Sequence, residues 1–237
     1  MKIRTPIRYF VISNSMILCA LLLCSFMGSK AVTAMAEHVP VKQSNCFIID
    51  AGHGGVDGGA TSCTGILESE INLQIALRLN DLMHLLGMRT QMIRTTDQSV
   101  YTQGNSIAAK KVSDLKQRVK LVNQTESAVL VSIHQNYFED SRYAGAQVFY
   151  APEERSERLA KEMQAKLVSI LKPDSRRMAK KADGIYLMQN IDQPGILIEC
   201  GFLSNPDEEF KLRDAAYQKK LCCVIASVLS NYDNDIT

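Results

Sequence analysis

The sequence predicts an α/β fold: one domain built on a mainly parallel central sheet, with helices on both faces. Two observations carry this. Short apolar runs stop abruptly at polar or glycine-rich segments, as in CFIID (46–50), AVLVSI (128–133) and GILIE (195–199), which is how strands buried on both sides read. Stretches of helical period alternate with them along the chain. Strands that alternate with helices are joined by crossovers and so run parallel.

The chain starts with an export segment. Lys2, Arg4 and Arg8 form a basic stretch, Met16 to Met27 is apolar, and Ala34-Met35-Ala36 is an A-x-A cleavage pattern. The apolar run is shorter than the roughly 20 residues that span a bilayer. Residues 1–36 therefore read as a signal peptide. An uncleaved anchor is the other reading, helped by the apolar residues Tyr9 to Ile12. Both place the remainder outside the cytoplasm. Residues 37–45 are a polar linker, and 46–233 are the domain itself.

Within the domain, Cys46 to Asp50 is a strand followed at once by the turn Gly52-His53-Gly54-Gly55. From Glu68 to Leu86 the pattern is helical: Ile71, Ile75, Leu79, Leu82 and Leu86 fall on one face. Gly87 stops that helix, and Thr90 to Arg94 is a second strand. Asp97 to Lys111 is polar and aperiodic, so it reads as a surface loop. Val112 to Gln124 is a helix, Ala128 to Ile133 and Ala146 to Tyr150 are strands, and Arg155 to Leu171 is an amphipathic helix ended by Pro173. Ile185 to Met188 reads as a short strand, Gly195 to Glu199 as a buried one, and Asp207 to Tyr232 as a single closing helix.

Composition excludes some functions. Four bases and no acids precede Glu37, so 23 bases face 25 acids in the remainder, a net charge of −2. That leaves no electrostatic footprint for nucleic acid. Five cysteines follow the export segment, an odd number with no C-x-x-C spacing, which is neither a disulfide framework nor a metal site. Cys46, Cys200, Cys222 and Cys223 lie in apolar runs and read as core, and Cys63 as a free thiol in a loop.

Three polar residues stand where strand patterns stop: His53 after CFIID, His134 after AVLVSI, and Glu199 at the end of GILIE. Ligands of open α/β sheets bind beyond the carboxyl ends of the strands, where distant residues converge. An acid at the start of the first long helix, Glu68 or Glu70, lies near the same edge. Two histidines and a carboxylate, with one position left open, are the donor set of a catalytic zinc site. A further carboxylate off the metal can then move a proton. Singly, each residue has a plainer reading: a structural imidazole, a first-turn acid favoured by the helix dipole, or half of an ion pair. For Glu199 that plainer reading is costly, because Cys200-Gly201-Phe202 makes its surroundings apolar. His84 reads as surface and His38 as linker.

At this point four segments resemble the zinc-dependent N-acetylmuramoyl-L-alanine amidases of the amidase 3 family: IIDAGHGGVDGGA (48–60), GILESEINLQIALRL (65–79), VSIHQN (131–136) and ECGFLSN (199–205). The resemblance implies one zinc ion on His53, Glu68 and His134, with Glu199 as catalytic acid/base, and so selects Glu68 over Glu70. It also implies peptidoglycan as substrate, with Asn136 near it. KKVSDLKQRVKLVN (110–123), GAQVFYAP (145–152) and KKADGIYLMQN (180–190) resemble the CwlD-type germination-specific amidases of spore-forming Firmicutes. That implies action on the spore cortex, ahead of a deacetylase with which muramic δ-lactam is made, and an activating lipoprotein partner. Ser69 departs from the lysine common in the family, and Tyr137 and Phe138 from its small residues. The competing readings are a general cell-wall remodelling amidase and an inactive peptidoglycan-binding module. The first is set against the lack of a wall-binding repeat, the second against the intact set of four residues.

Overall fold

The computed structural model describes residues 45–234. The signal or anchor reading of 1–36, and the linker apart from Asn45, lie outside the described residues. In chain order the elements are β1 (Cys46–Ala51), α1 (Glu68–Leu85), β2 (Thr90–Met92), α2 (Ile107–Gln124), β3 (Ala128–Asn136), β4 (Gln147–Tyr150), α3 (Glu154–Leu171), β5 (Lys180–Lys181), α4 (Tyr186–Asn190), β6 (Gly195–Phe202), α5 (Pro206–Arg213) and α6 (Ala215–Asn234). They build one six-stranded sheet in the order β2-β1-β3-β6-β4-β5. The first four strands of that order are parallel. β4 runs antiparallel to β6, and β5 follows β4 in parallel. The sheet is thus mainly parallel, as expected, with a reversed edge.

Strand alternation sorts the core into two layers. Phe47, Ile49, Val131, Ile133 and Ile198 face α1, α3 and α6, where Ile75, Leu79, Leu159, Met163 and Ile225 are buried. Ile48, Leu130 and Leu197 face the other way, onto Val122 of α2 and Leu187 and Met188 of α4. Both faces are therefore covered, and truncating one of these side chains to alanine costs about 2–5 kcal/mol. Among the described residues no helix is long and apolar enough to cross a membrane.

The structure corrects four expectations. The polar segment 97–111 is not all loop, because α2 begins at Ile107 with the Ser106 hydroxyl accepting from Ala109 N at 3.2 Å. Its first turns lie in water, with Ile107 and Val112 exposed, so no apolar stripe marks them. Ile185 to Met188 is not a strand; Tyr186–Asn190 is one helical turn that buries Leu187 and Met188, and a short apolar run does not distinguish the two. The closing helix is two helices. Asp214 breaks it, accepting from Tyr217 N at 2.7 Å, a side-chain cap inside what reads as one amphipathic segment. Cys223 is exposed, unlike the buried Cys46, Cys200 and Cys222, because α6 turns it away from the sheet. The exposed Cys63 is as expected.

Two strands are also longer than their apolar runs. β3 continues through His134 to Asn136 and β6 through Glu199 to Phe202, so both candidate side chains project from the sheet itself.

Candidate metal centre

β1 ends at Ala51, and the chain turns so sharply that His53 takes φ 59°, a left-handed conformation that a residue with a side chain rarely adopts. Two buried arginines hold the turn by its carbonyls. Arg94 donates to Ala51 O (2.8 Å) and Gly52 O (3.0 Å). Arg118 donates to Ala51 O (3.1 Å) and His53 O (2.8 Å). The Arg118 guanidinium is 2% exposed and ion-paired with Asp50 and Asp114, so its buried charge is matched on both sides. Burial works against the Asp50 carboxylate, but Arg118 and the Ser132 hydroxyl outweigh it and hold its pKa below the usual value.

The His53 ring is fixed at both nitrogens. Nδ1 lies 2.9 Å from Asp57 Oδ2, and Nε2 lies 3.2 Å from Glu68 Oε2. Lys111 reaches Asp57 at 3.1 Å. Burial opposes a charge on His53, yet the two carboxylates overcome it and raise its pKa to about 9. Glu68 is the first residue of α1 and is 4% exposed. Its Oε2 accepts from Ala60 N (3.0 Å), and its Oε1 from Gln135 N (3.1 Å) and Asn72 Nδ2 (3.2 Å). His134 Nδ1 is 3.0 Å from the same Oε1. Burial again raises the Glu68 pKa, and the two histidines outweigh it, holding it far below the carboxylate range.

Ligand atoms of His53, Glu68 and His134 all lie within 4.8 Å of one another. Two imidazole nitrogens and a carboxylate oxygen at that separation fit a divalent ion of nitrogen and oxygen preference. Two glycines without Cβ atoms leave the room. A Cβ on Gly52 would stand 2.2 Å from His134 Nε2, and one on Gly59, at φ +70°, would stand 2.5 Å from Glu68 Oε2. The Asp57–His53 contact is of the kind that a metal-binding histidine makes with its second ring nitrogen.

Glu199 stands opposite His134 in the β3–β6 register. Its Oε2 is buried without a hydrogen-bond partner. Burial raises its pKa to about 7, the pull of His134 and His53 being opposed by the charge of Glu68. A carboxyl that changes state near neutrality, next to a candidate ion site, is equipped to take up and release a proton. A cavity of about 810 Å³ lies elsewhere, bounded by Leu167, Lys172, Glu208 and Tyr217, and includes none of these residues.

Residues 47–231 match the family model for N-acetylmuramoyl-L-alanine amidases. The chain belongs to that family. The amidase is 39% identical over 186 residues to the germination-specific N-acetylmuramoyl-L-alanine amidase of Bacillus subtilis (strain 168), covering 78% of each chain. Its fold is similar to that of the CwlD amidase of Clostridioides difficile, solved in complex with the GerS lipoprotein, at TM-score 0.76 and 37% identity over 79% of this chain and 98% of that one. It is also 30% identical to the amidase LytC of Bacillus subtilis (strain 168), over 76% of this chain and 34% of LytC.

The amidase thus brings His53, Glu68 and His134 together and sets Glu199 beside them. Asn136 lies two residues beyond His134 on β3, half-buried, its carbonyl accepting from Leu203 N at 2.8 Å. Sequence reasoning missed Asp57, Asn72, Arg94 and Arg118. An acid four residues after a candidate ligand was a usable signal for Asp57. Nothing local marked the arginines, whose acceptors are carbonyls distant in sequence.

Proposed function

We propose that this amidase is zinc-dependent, with the ion on His53, Glu68 and His134 and with Glu199 as general acid/base. The observation that carries this is the unpartnered, near-neutral Glu199 carboxyl beside the three-residue donor cluster. Zinc there supplies Lewis acidity, lowering the pKa of water and polarising a carbonyl. The chain's own groups do the rest. Glu199 takes a proton from the attacking water and delivers it to the departing nitrogen of L-Ala. Asp57 keeps the His53 ring oriented, and the backbone amides of Ala60 and Gln135 hold the Glu68 carboxylate in place. Asn136 would contact substrate next to the bond between the muramic acid lactyl group and L-Ala.

The setting of this reaction is the spore cortex, in an exported protein acting outside the cytoplasmic membrane. Support comes from the likeness to the germination-specific amidase of Bacillus subtilis and from the export pattern of residues 1–36. A lipoprotein partner is supported by the similar Clostridioides difficile amidase solved with one. A deacetylase would act next on the peptide-free muramic acid. The 30% identity to LytC, an amidase whose name carries no germination role, supports a second reading, general cell-wall remodelling. Deleting the gene and analysing spore cortex by mass spectrometry of muropeptides separates the two. Loss of muramic δ-lactam with stalled germination is expected, and normal δ-lactam would reject the cortex role.

A further inference from the structure

The strands that carry His134 and Glu199 both run on into aromatic residues. Phe138 comes four positions after His134, and Phe202 three after Glu199. Phe138 packs edge-on against Tyr143, with ring centres 4.6 Å apart, and Tyr143 lies over Phe202 at 6.1 Å. Arg177 backs the Phe202 ring, 5.0 Å from its centre. Phe202 is 3% exposed, whereas Phe138 is 51% and Tyr143 46% exposed. A buried ring therefore supports two that stay half in water.

This shelf is held rigidly. Phe138 N donates to Ser204 Oγ at 3.1 Å, and Asn205 Nδ2 donates to Ser141 O at 2.8 Å and to Tyr143 O at 3.3 Å. The loop between β3 and β4 is thus fastened to the segment that follows Glu199. Rings that a fold fixes in water, rather than burying, form a prepared contact surface.

At about 3.3 Å per residue, Phe138 lies within about 13 Å of His134 along the chain, close enough for a sugar next to the bond being cut. That bond joins a sugar acid to a peptide, so the substrate leaves the centre in two directions. The faces of aromatic rings are electronegative and apolar, and suit the C–H faces of a pyranose. The carboxylates of a stem peptide suit cations instead, and one stands near His53, where Lys111 pairs with the Asp57 that holds the His53 ring.

We propose that Phe138 and Tyr143 form a stacking platform for the glycan strand, holding the sugars that flank the muramic acid under attack. The inference rests on reading this sheet edge as the amidase site. Its test compares intact peptidoglycan glycan strands with a small N-acetylmuramoyl dipeptide that has no neighbouring sugars. The preference of the enzyme for strands, as the ratio of kcat/KM values, should fall about tenfold in Phe138→Ala and Tyr143→Ala, chiefly through KM. Phe138→Tyr and Tyr143→Phe, which keep the rings, should retain it. Peptide-free strands, titrated calorimetrically, should bind the wild type and bind the alanine variants about tenfold more weakly. An unchanged preference in the alanine variants, or equal loss in the ring-preserving ones, would overturn the platform. Ring-dependent strand binding by a wild type that cuts neither substrate would support the platform and reject the amidase reading.

Discussion

Glu199 and His134 are register partners on adjacent parallel strands, so main-chain hydrogen bonds, rather than loops, fix the spacing of the proposed acid/base and the imidazole of the metal cluster. The carboxyl gains no hydrogen-bond partner from that position. Its proposed chemistry can therefore be tested apart from that of the candidate metal ligands.

Glu199→Gln should keep the fold and the ion but lose about 10²–10⁴-fold in turnover, since an amide cannot shuttle a proton. Metal content and muropeptide release, measured on one preparation, check this. Turnover within a few-fold of the wild type would move the acid/base role to another group.

The same carboxyl should cost stability in the metal-free protein. Its folded pKa of about 7 lies above the ordinary 4.5, so the folded state keeps a proton that the unfolded chain gives up. Its contribution is complete below pH 4.5 and is lost as pH rises through 7. Relative to Glu199→Gln, the wild type should weaken by about 1–3 kcal/mol across that window. Urea unfolding in chelator at several pH values measures it, and parallel curves for the two proteins would count against a raised pKa.

Metal uptake should release a proton from His53. Its pKa of about 9 in the metal-free protein means that the ring is charged at neutral pH, whereas a ligand must be neutral. Apparent affinity should therefore climb as pH rises toward 9. Calorimetry in buffers of different ionisation enthalpy counts the proton. Asp57→Asn should lower that pKa, flatten the dependence and weaken binding about 10–100-fold.

Gly52→Ala should displace a ligand without unfolding the domain. The new methyl would fall 2.2 Å from His134 Nε2, and the ring has to swing away. Loss of the ion and of activity, with circular dichroism unchanged, is the expected outcome. A variant that still binds the ion like the wild type would mean that the loop yields instead.

Much of this was legible in the sequence. Parallel strands buried on both faces leave unbroken apolar runs, so β1, β3 and β6 stood out, and with them the polar residues that mark the edge of the sheet. The four residues proposed for the site can be picked out of the sequence, but the choice of Glu68 over Glu70 rests on resemblance, since both lie in the first turn of α1. What stayed hidden was set by contacts distant in sequence. Asp214 splits one amphipathic stretch into two helices by capping the second. Nothing in the sequence marks Arg118 on α2 until Asp50, sixty-eight positions away, is seen against it. The reversal of β4 against β6 has no mark in the sequence, because the connection from β3 carries no signal of direction.

The two outermost strands of the sheet, three residues in β2 and two in β5, are the shortest among the described residues. Both residues of β5 are exposed lysines. A passing chain therefore finds almost no free row of amides to pair with, and what it meets on the β5 side is positive charge. The long, sticky strands are all interior, and they include the two that carry His134 and Glu199. This sheet discourages recruitment into aggregates without being closed into a barrel, so its carboxyl edge can stay open to a polymer while its lateral edges offer another chain little to pair with.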